Sequence, residues 1–420
     1  MKGLKDIINL NYELFIAKRI IAGKKYKNSI SSPIIKIAIT AIALGIIIML
    51  IAVATASGLQ TKIRDKMAGF KGHVQIVNYD NNNSDVSTTP INIEQDFYPE
   101  FKNIEGIKNV QIFASKGGII RTNTDFEGIV FKGVSSDYDW SFFKEYLIAG
   151  AFPDFDQSRT KEVLLSQTIM NRLQLKLNDT IAATFLKTTS SKLPSNRKYR
   201  ICGIYNSGFA PFDKNMMIGD IREVQRLNKW TENQVGGFEV LLNDFNDIEE
   251  KSEQIYRDIS GTLNANSITK LYPTVFEWIK LFDNNVWFII GIMILIAGIN
   301  MITALLVLIL ERVQMIGILK ALGSHNASIR KIFLYNASYL ILKGLFWGNV
   351  IGLSIIGVQY FFKIITLNPE TYYVATMPVH ISISVILALN IGTLVLCFLM
   401  LIIPSFIITK INPSKSIKFA

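Results

Sequence analysis

The sequence is poor in the residues that most chemistry requires. It has two cysteines and three histidines in 420 residues. Cys202 lies in a polar stretch and Cys397 inside an apolar run, so no disulfide framework is expected. His73, His325 and His380 are far apart, with no cysteine or carboxylate at metal-ligand spacing, and no metal site is indicated. Neither GxxxxGKS nor GxxxxGKT occurs, which excludes ATP binding through a phosphate loop. GxSxG and HExxH are missing too, and the carboxylates show no spacing that marks an acid/base pair; they read as a solvated surface. The long apolar runs contain no Asp or Glu, which argues against a proton-coupled carrier. The chain by itself is therefore expected to be no enzyme and to hold no cofactor.

What is present is apolar sequence in blocks. Half of the residues are apolar, high for a soluble protein and low for one made only of membrane spans, so spans plus a sizeable polar domain are expected. The first span is read as Pro33 to Ser57, where Ile37 to Ala56 carries no charge and is long enough for a hydrocarbon core of roughly 30 Å. Lys36 snorkels at its cytoplasmic end. The others are Val286 to Leu310, Ile332 to Phe362 and Ile381 to Thr409, the last kinked or ended by Pro404. The third is longer than a bilayer needs, so Lys343 is expected to reach the cytoplasmic headgroups, a functional charge within the membrane being the alternative. Asn300, Thr303, Asn336 and Asn349 are candidates for hydrogen bonds between helices, read as packing.

Gly58 to Asp283 holds no spanning run. HVQIVNY, VQIFA, GIIRT and GIVFKGV read as strands, the stretches Ile93 to Ile104 and Lys161 to Leu173 as helical, and Asn81 to Pro90 as a flexible loop. A mixed α/β domain in two lobes is expected there. Met1 to Ser32 reads as a segment whose helix, with Leu14, Phe15, Ala17 and Ile21 on one face, lies along the cytoplasmic leaflet. It is not expected to be a cleaved signal peptide. Lys363 to His380 is a short outer loop and Lys410 to Ala420 a tail with Lys415 and Lys418.

The net charge of +11 sorts by position. Gly58 to Asp283 has 27 Lys and Arg against 29 Asp and Glu, leaving 17 basic and 4 acidic residues for all the rest. The basic excess therefore flanks the spans and is no nucleic-acid-binding face. It places both termini in the cytoplasm and the large domain outside the cytoplasmic membrane.

Glu311 to Lys331 must leave the membrane, turn and re-enter. Val313, Ile316, Leu319 and Leu322 recur at helical spacing, Gly323 supplies a residue that tolerates positive φ, and Ser324 is the expected N-cap of the next helix. A small helix held between two spans can be an ordinary interfacial helix, or it can be pushed from the water and pass the push on.

The stretch ILERVQMIGILKALGSHNASIRKIF resembles the hallmark of FtsX/MacB-type ABC transporter permeases. In these the second span ends in a Glu-Arg or Glu-Lys pair, and an Ile-Gly-Ile-Leu-Lys-x-Leu-Gly segment forms the cytoplasmic coupling helix. FIAKRIIAGKK, EVLLSQTIMNRLQLKLNDTI, YRICGIYNSGFAPFDKNMMIGDIREVQRL, YYVATMPVHISI and IPSFIITKINPSKSIKF, in that order, are similar to the lipoprotein-releasing (LolC/LolE-type) branch. The resemblance implies a membrane α-helical protein with four transmembrane helices and a large extracytoplasmic α/β domain of the MacB periplasmic-core type. It implies partners: a LolD-like ATPase that binds ATP and Mg, a second permease subunit, an acylated lipoprotein, a periplasmic carrier, and membrane lipid. Glu311, Arg312, Gln314, Gly317, Lys320, Leu322 and Gly323 would meet the ATPase. Leu44, Ile48, Ile51, Ala52, Ile299, Met301 and Thr303 would face the substrate cavity. Gln314-Met315 stands where an acidic residue often precedes the Ile-Gly pair. Two other readings stay open: a mechanotransmission or efflux permease of the same superfamily, and a membrane-anchored sensor.

Overall fold

The computed structural model describes residues 12–22, 32–81, 84–155, 159–185 and 194–412. It divides into two compact units. One takes in the residues up to Gly58, Lys280–Ile365 and those from Pro378 onward; the other is Leu59–Ile279 with Thr366–Met377. Most basic residues of the N-terminal segment, and Lys415 and Lys418, lie outside the described residues.

Among the described residues, four helices are long and apolar enough to cross a membrane. The first-span helix is Ser32–Lys71 and does not stop at Ser57. Charge ends the hydropathy run there, but Leu59, Ile63, Met67 and Phe70 are all buried at helical spacing, so an amphipathic pattern carries the helix on. Likewise the second-span helix, Pro273–Glu311, begins well before Val286; proline is favoured at a helix start, where its missing N–H costs nothing. The third-span helix is Asn326–Phe362. The fourth, Ile383–Ser405, ends one residue after Pro404 and tightens into the 3-10 turn Phe406–Lys410.

Three glycines on the third span let it approach the first closely. A Cβ on Gly344 would sit 2.8 Å from the Cβ of Ile42, on Gly348 2.9 Å from the carbonyl oxygen of Ala43, and on Gly352 3.0 Å from Leu50. Small residues four apart allow such backbone approach in lipid, where dispersion has to replace the hydrophobic effect. Asn349 forms the expected interhelical bond: its Nδ2 donates to Asn390 Oδ1 at 2.6 Å, and Asn390 Nδ2 returns the bond at 3.0 Å. Asn300 and Thr303 instead donate to carbonyls of their own helix. Asn336 is fully buried and its amide bonds none of the described residues. Lys343 is exposed. Tyr12–Ala22 packs along the third-span helix with Ala17 buried and Ser328 Oγ donating to Glu13. Leu14 and Phe15 are exposed, so the expected single apolar face is divided.

The outer unit is built on a ten-stranded sheet. Its strands are β1 (Val74–Asn78), β3 (Ile107–Arg121), β4 (Phe126–Val134), β5 (Leu147–Gly150), β6 (Glu162–Ser166), β7 (Thr180–Phe185), β8 (Ser195–Tyr205), β9 (Met216–Asp220), β11 (Gly237–Leu242) and β12 (Leu263–Ser267), while β2 (Ile91–Asn92) and β10 (Gln234–Val235) form a separate ribbon. Six strands close a ring in the order β3, β4, β9, β6, β8, β7 and back to β3. Phe131, Phe185 and Tyr199, all buried, meet within it, with centroids 5.2–6.3 Å apart. The long β3 continues into an open antiparallel part, β12-β1-β11-β3. Ile93–Ile104 is irregular, not helical, although Phe97, Phe101 and Ile104 are buried; Pro99 interrupts the run. Lys161–Leu173 divides into β6 and a helix at Gln167–Arg172. The described part of the Asn81–Pro90 loop is pinned, because Asn81 Oδ1 accepts from the backbone of Thr88 and Thr89 and from the Thr88 hydroxyl.

The carboxylates are not all solvated. Gln75, Glu239 and Gln111 lie side by side in register across β1, β11 and β3. Glu239 is fully buried and accepts from Gln111 at 2.9 Å, from Gln75 at 3.3 Å and from Lys132 at 2.7 Å. Lys132 also donates to the carbonyl of Phe70 at 2.6 Å, and the Tyr138 hydroxyl to that of Gly69 at 3.1 Å. The last carbonyls of the first-span helix, which a helix cannot satisfy from within, are thus capped by Lys132 of β4 and by Tyr138 from the loop that follows it. Gly72, at φ +71°, lets the chain turn from this helix into β1.

His73 accepts the backbone N–H of Leu242 at Nδ1, 3.0 Å away, where the β11–β3 register shifts. Burial first, and Lys108 second, push its pKa down to about 4. The neutral ring is the folded form, so its contribution is complete above the unfolded value of about 6.5 and is lost as pH falls through about 4. Unfolding of the detergent-purified chain followed by tryptophan fluorescence should show stability falling between those values. The fall should be shallower in a His73→Asn variant, whose side chain keeps an acceptor but does not titrate.

Candidate functional site

Glu311 ends the second-span helix, and Arg312, at φ −109° and ψ 19°, breaks it. The helix Val313–Ala321 then begins. Its inward side is Ile316 and Gly317, both buried, with Met315 and Leu319 packed against the span core. The outward side is Gln314, Ile318, Ala321 and Leu322, all exposed. Offsets of four, three and one place these on one face. Leu322 is 78% exposed, in keeping with its expected place among the residues that would meet a partner.

The helix stops through a Schellman motif. Ser324 N–H donates to Leu319 O and Gly323 N–H to Lys320 O, both at 3.0 Å, with Gly323 at φ +92°. Among the described residues nothing would meet a Cβ at Gly323, so its role there is conformational. The N-cap position of the next helix is held by His325, which makes no side-chain cap bond, and not by Ser324, whose hydroxyl faces the Tyr12 hydroxyl at 3.4 Å.

The residues expected to meet an ATPase therefore fall in different places. Glu311, Gln314, Leu322 and Gly323 are exposed, Arg312 is half-buried and Gly317 is buried. Lys320 turns inward: its Nζ donates to the carbonyls of Ile408 and Ile411, each at 2.8 Å, with Thr409 O at 3.4 Å. Sequence reasoning missed Ile318 and Ala321, though their offsets from Gln314 could have shown them. Of the residues assigned to a substrate cavity, Leu44, Ile48, Ile299 and Thr303 are exposed on the spans, Ile51 and Ala52 are half-buried, and Met301 is fully buried in the span core. That burial removes Met301 from any surface open to a substrate in this conformation.

Residues 37–257 match the MacB-like periplasmic core domain family, and residues 287–413 the FtsX-like permease C-terminal family. The chain belongs to the FtsX/MacB-type permeases. Over its length this FtsX-like permease is similar to the lipoprotein-releasing system transmembrane protein LolC of Neisseria meningitidis, 20% identical over 97% of this chain and 99% of the relative. It is also similar to the lipoprotein-releasing system transmembrane protein LolE of Haemophilus influenzae, 19% identical over the same shares of each. Among solved structures, the periplasmic region of MacB from Actinobacillus actinomycetemcomitans is 14% identical, covers 48% of this chain and 91% of its own, and aligns with a TM-score of 0.33. In this permease, then, Val313–Ala321 lies within the FtsX-like segment, and the ring and open sheet fall in the MacB-like domain.

Proposed function

We propose that this permease is the membrane subunit of an ABC transporter that extracts lipoproteins from the outer leaflet of the inner membrane and passes them to a periplasmic carrier. A separate ATPase, holding ATP and Mg, would dock on Val313–Gly323 from the cytoplasm. The observation that carries the reading is the division of that short helix, buried through Ile316 and Gly317 and exposed through Gln314, Ile318, Ala321 and Leu322. An exposed leucine at the tip of a helix fixed between two spans suits a groove in a partner. The names and full-length coverage of the LolC and LolE relatives support lipoprotein as the cargo.

The physical need is plain. Each acyl CH₂ costs about 0.8 kcal/mol to remove from lipid, so a multiply acylated protein needs work done on it to leave. ATP-driven closure of an ATPase pair would press on the docking face and move spans one and two. The exposed residues Leu44, Ile48, Ile299 and Thr303 would face the acyl chains or a second permease subunit. The basic flanks support a topology with both termini in the cytoplasm and the large domain in the periplasm.

Leu322→Glu is expected to weaken ATPase docking by roughly 2 kcal/mol, about thirtyfold, without unfolding an already exposed site. Co-purification in mild detergent with quantitative mass spectrometry reads the docking, and release of an acylated protein from proteoliposomes reads the work. Undiminished ATPase recovery with Leu322→Glu would sink the docking surface, and normal lipoprotein release on depletion of the chain would sink the cargo.

A further inference from the structure

The side chain that the signature offers as a partner contact is used inside the chain. Lys320 sits one turn from the exposed tip of Val313–Ala321, yet its ammonium lies among the carbonyls of Ile408, Thr409 and Ile411. Those carbonyls close the 3-10 turn Phe406–Lys410, where a helix leaves its last acceptors unpaired. An ammonium has three donors and a full positive charge, which matches three converging carbonyls and the negative end of a helix. Nearby, the Arg330 guanidinium stacks 4.3 Å over the Phe406 ring, and Ile408 is fully buried beneath the same turn.

We propose that Lys320 is a positioning residue that ties the cytoplasmic helix to the end of the fourth span, so that the two move as one piece. This deepens the reading of Val313–Gly323 as a surface pushed by an ATPase and rests on it for its purpose. A push on Leu322 then reaches the fourth span through three hydrogen bonds as well as the second and third spans through the backbone. The signature lysine acts on the partner only by holding the surface that the partner meets.

The test uses the full-length chain in detergent and reads two things. The first is maleimide labelling of the thiol in an Ile408→Cys variant, with the parent chain, which keeps Cys202 and Cys397, giving the background. Adding Lys320→Met should speed labelling about tenfold by opening the turn locally, as loss of a charge-assisted hydrogen bond does. Lys320→Arg, which still donates to carbonyls, should stay within about twofold of the lysine. The second reading is ATPase co-purification, which Lys320→Met should retain and Leu322→Glu should lose. Unchanged labelling with Lys320→Met overturns the proposal, and so does a loss of ATPase as complete as that of Leu322→Glu. Labelling needs no ATPase, so failure of the tie and failure of the docking surface are separately visible.

Discussion

Lys132→Met is expected to destabilise the outer unit by about 3–5 kcal/mol, the usual result of stranding one partner of a buried ion pair. The Lys132 side chain is 3% exposed and that of Glu239 0%. Burial pushes the Lys132 ammonium below its ordinary pKa, and Glu239 opposes that push. With the ammonium gone, Glu239 keeps, among the described residues, Gln75 and Gln111 as donors, and the Phe70 carbonyl loses its cap. Lys132→Met combined with Glu239→Leu should be much less damaging, because exchanging a whole buried pair for apolar side chains is often neutral. Pulse proteolysis in urea, with fragments assigned to Leu59–Ile279, measures both variants. A single variant as stable as the parent would show that the pair contributes nothing.

Gly348→Leu should cost about 3 kcal/mol, the upper part of the range for forcing bulk into a packed interior. The side chain would begin 2.9 Å from both the Ala43 carbonyl and the Ile46 Cβ, so backbone, and not merely a flexible tip, would have to give. Gly357→Leu is the control on the same helix, since a Cβ there meets nothing within 4 Å. Thermal unfolding in detergent should separate the two substitutions by several degrees. Equal unfolding would mean that the first and third spans do not depend on this approach. The Asn349–Asn390 pair lies one residue beyond Gly348, and the same measurement on Asn390→Leu would show whether it adds to the contact.

Much of this could be read from the residues. The spans were visible because an uncharged apolar run as long as Ile37 to Ala56 matches the thickness of a bilayer and exceeds what a soluble core helix needs. Their ends were not, because Lys62, Arg64, Asp65 and Lys66 mask an amphipathic helix whose buried face needs only one residue in three or four. The glycine row Gly344, Gly348, Gly352 is legible by spacing alone, but spacing does not name the helix it meets. At Val313–Ala321, periodicity located the element but did not sort its residues into an inward and an outward side. The Schellman turn carries Leu322 outward, and only the folded positions of Ile408 and Ile411 reveal where Lys320 goes. The burial of Glu239 could not be read locally. Its cation comes from a strand more than a hundred residues earlier in the chain, and only pairing across β1, β11 and β3 brings the amides alongside.

The six-stranded closure of β3, β4, β9, β6, β8 and β7 bears on life in a crowded envelope. Each of those strands spends its backbone donors and acceptors on a neighbour from the same chain. Little main chain there is left as a template on which a passing extended polypeptide could zip up. On such a surface recognition is left to side chains, and adhesion by strand addition is discouraged.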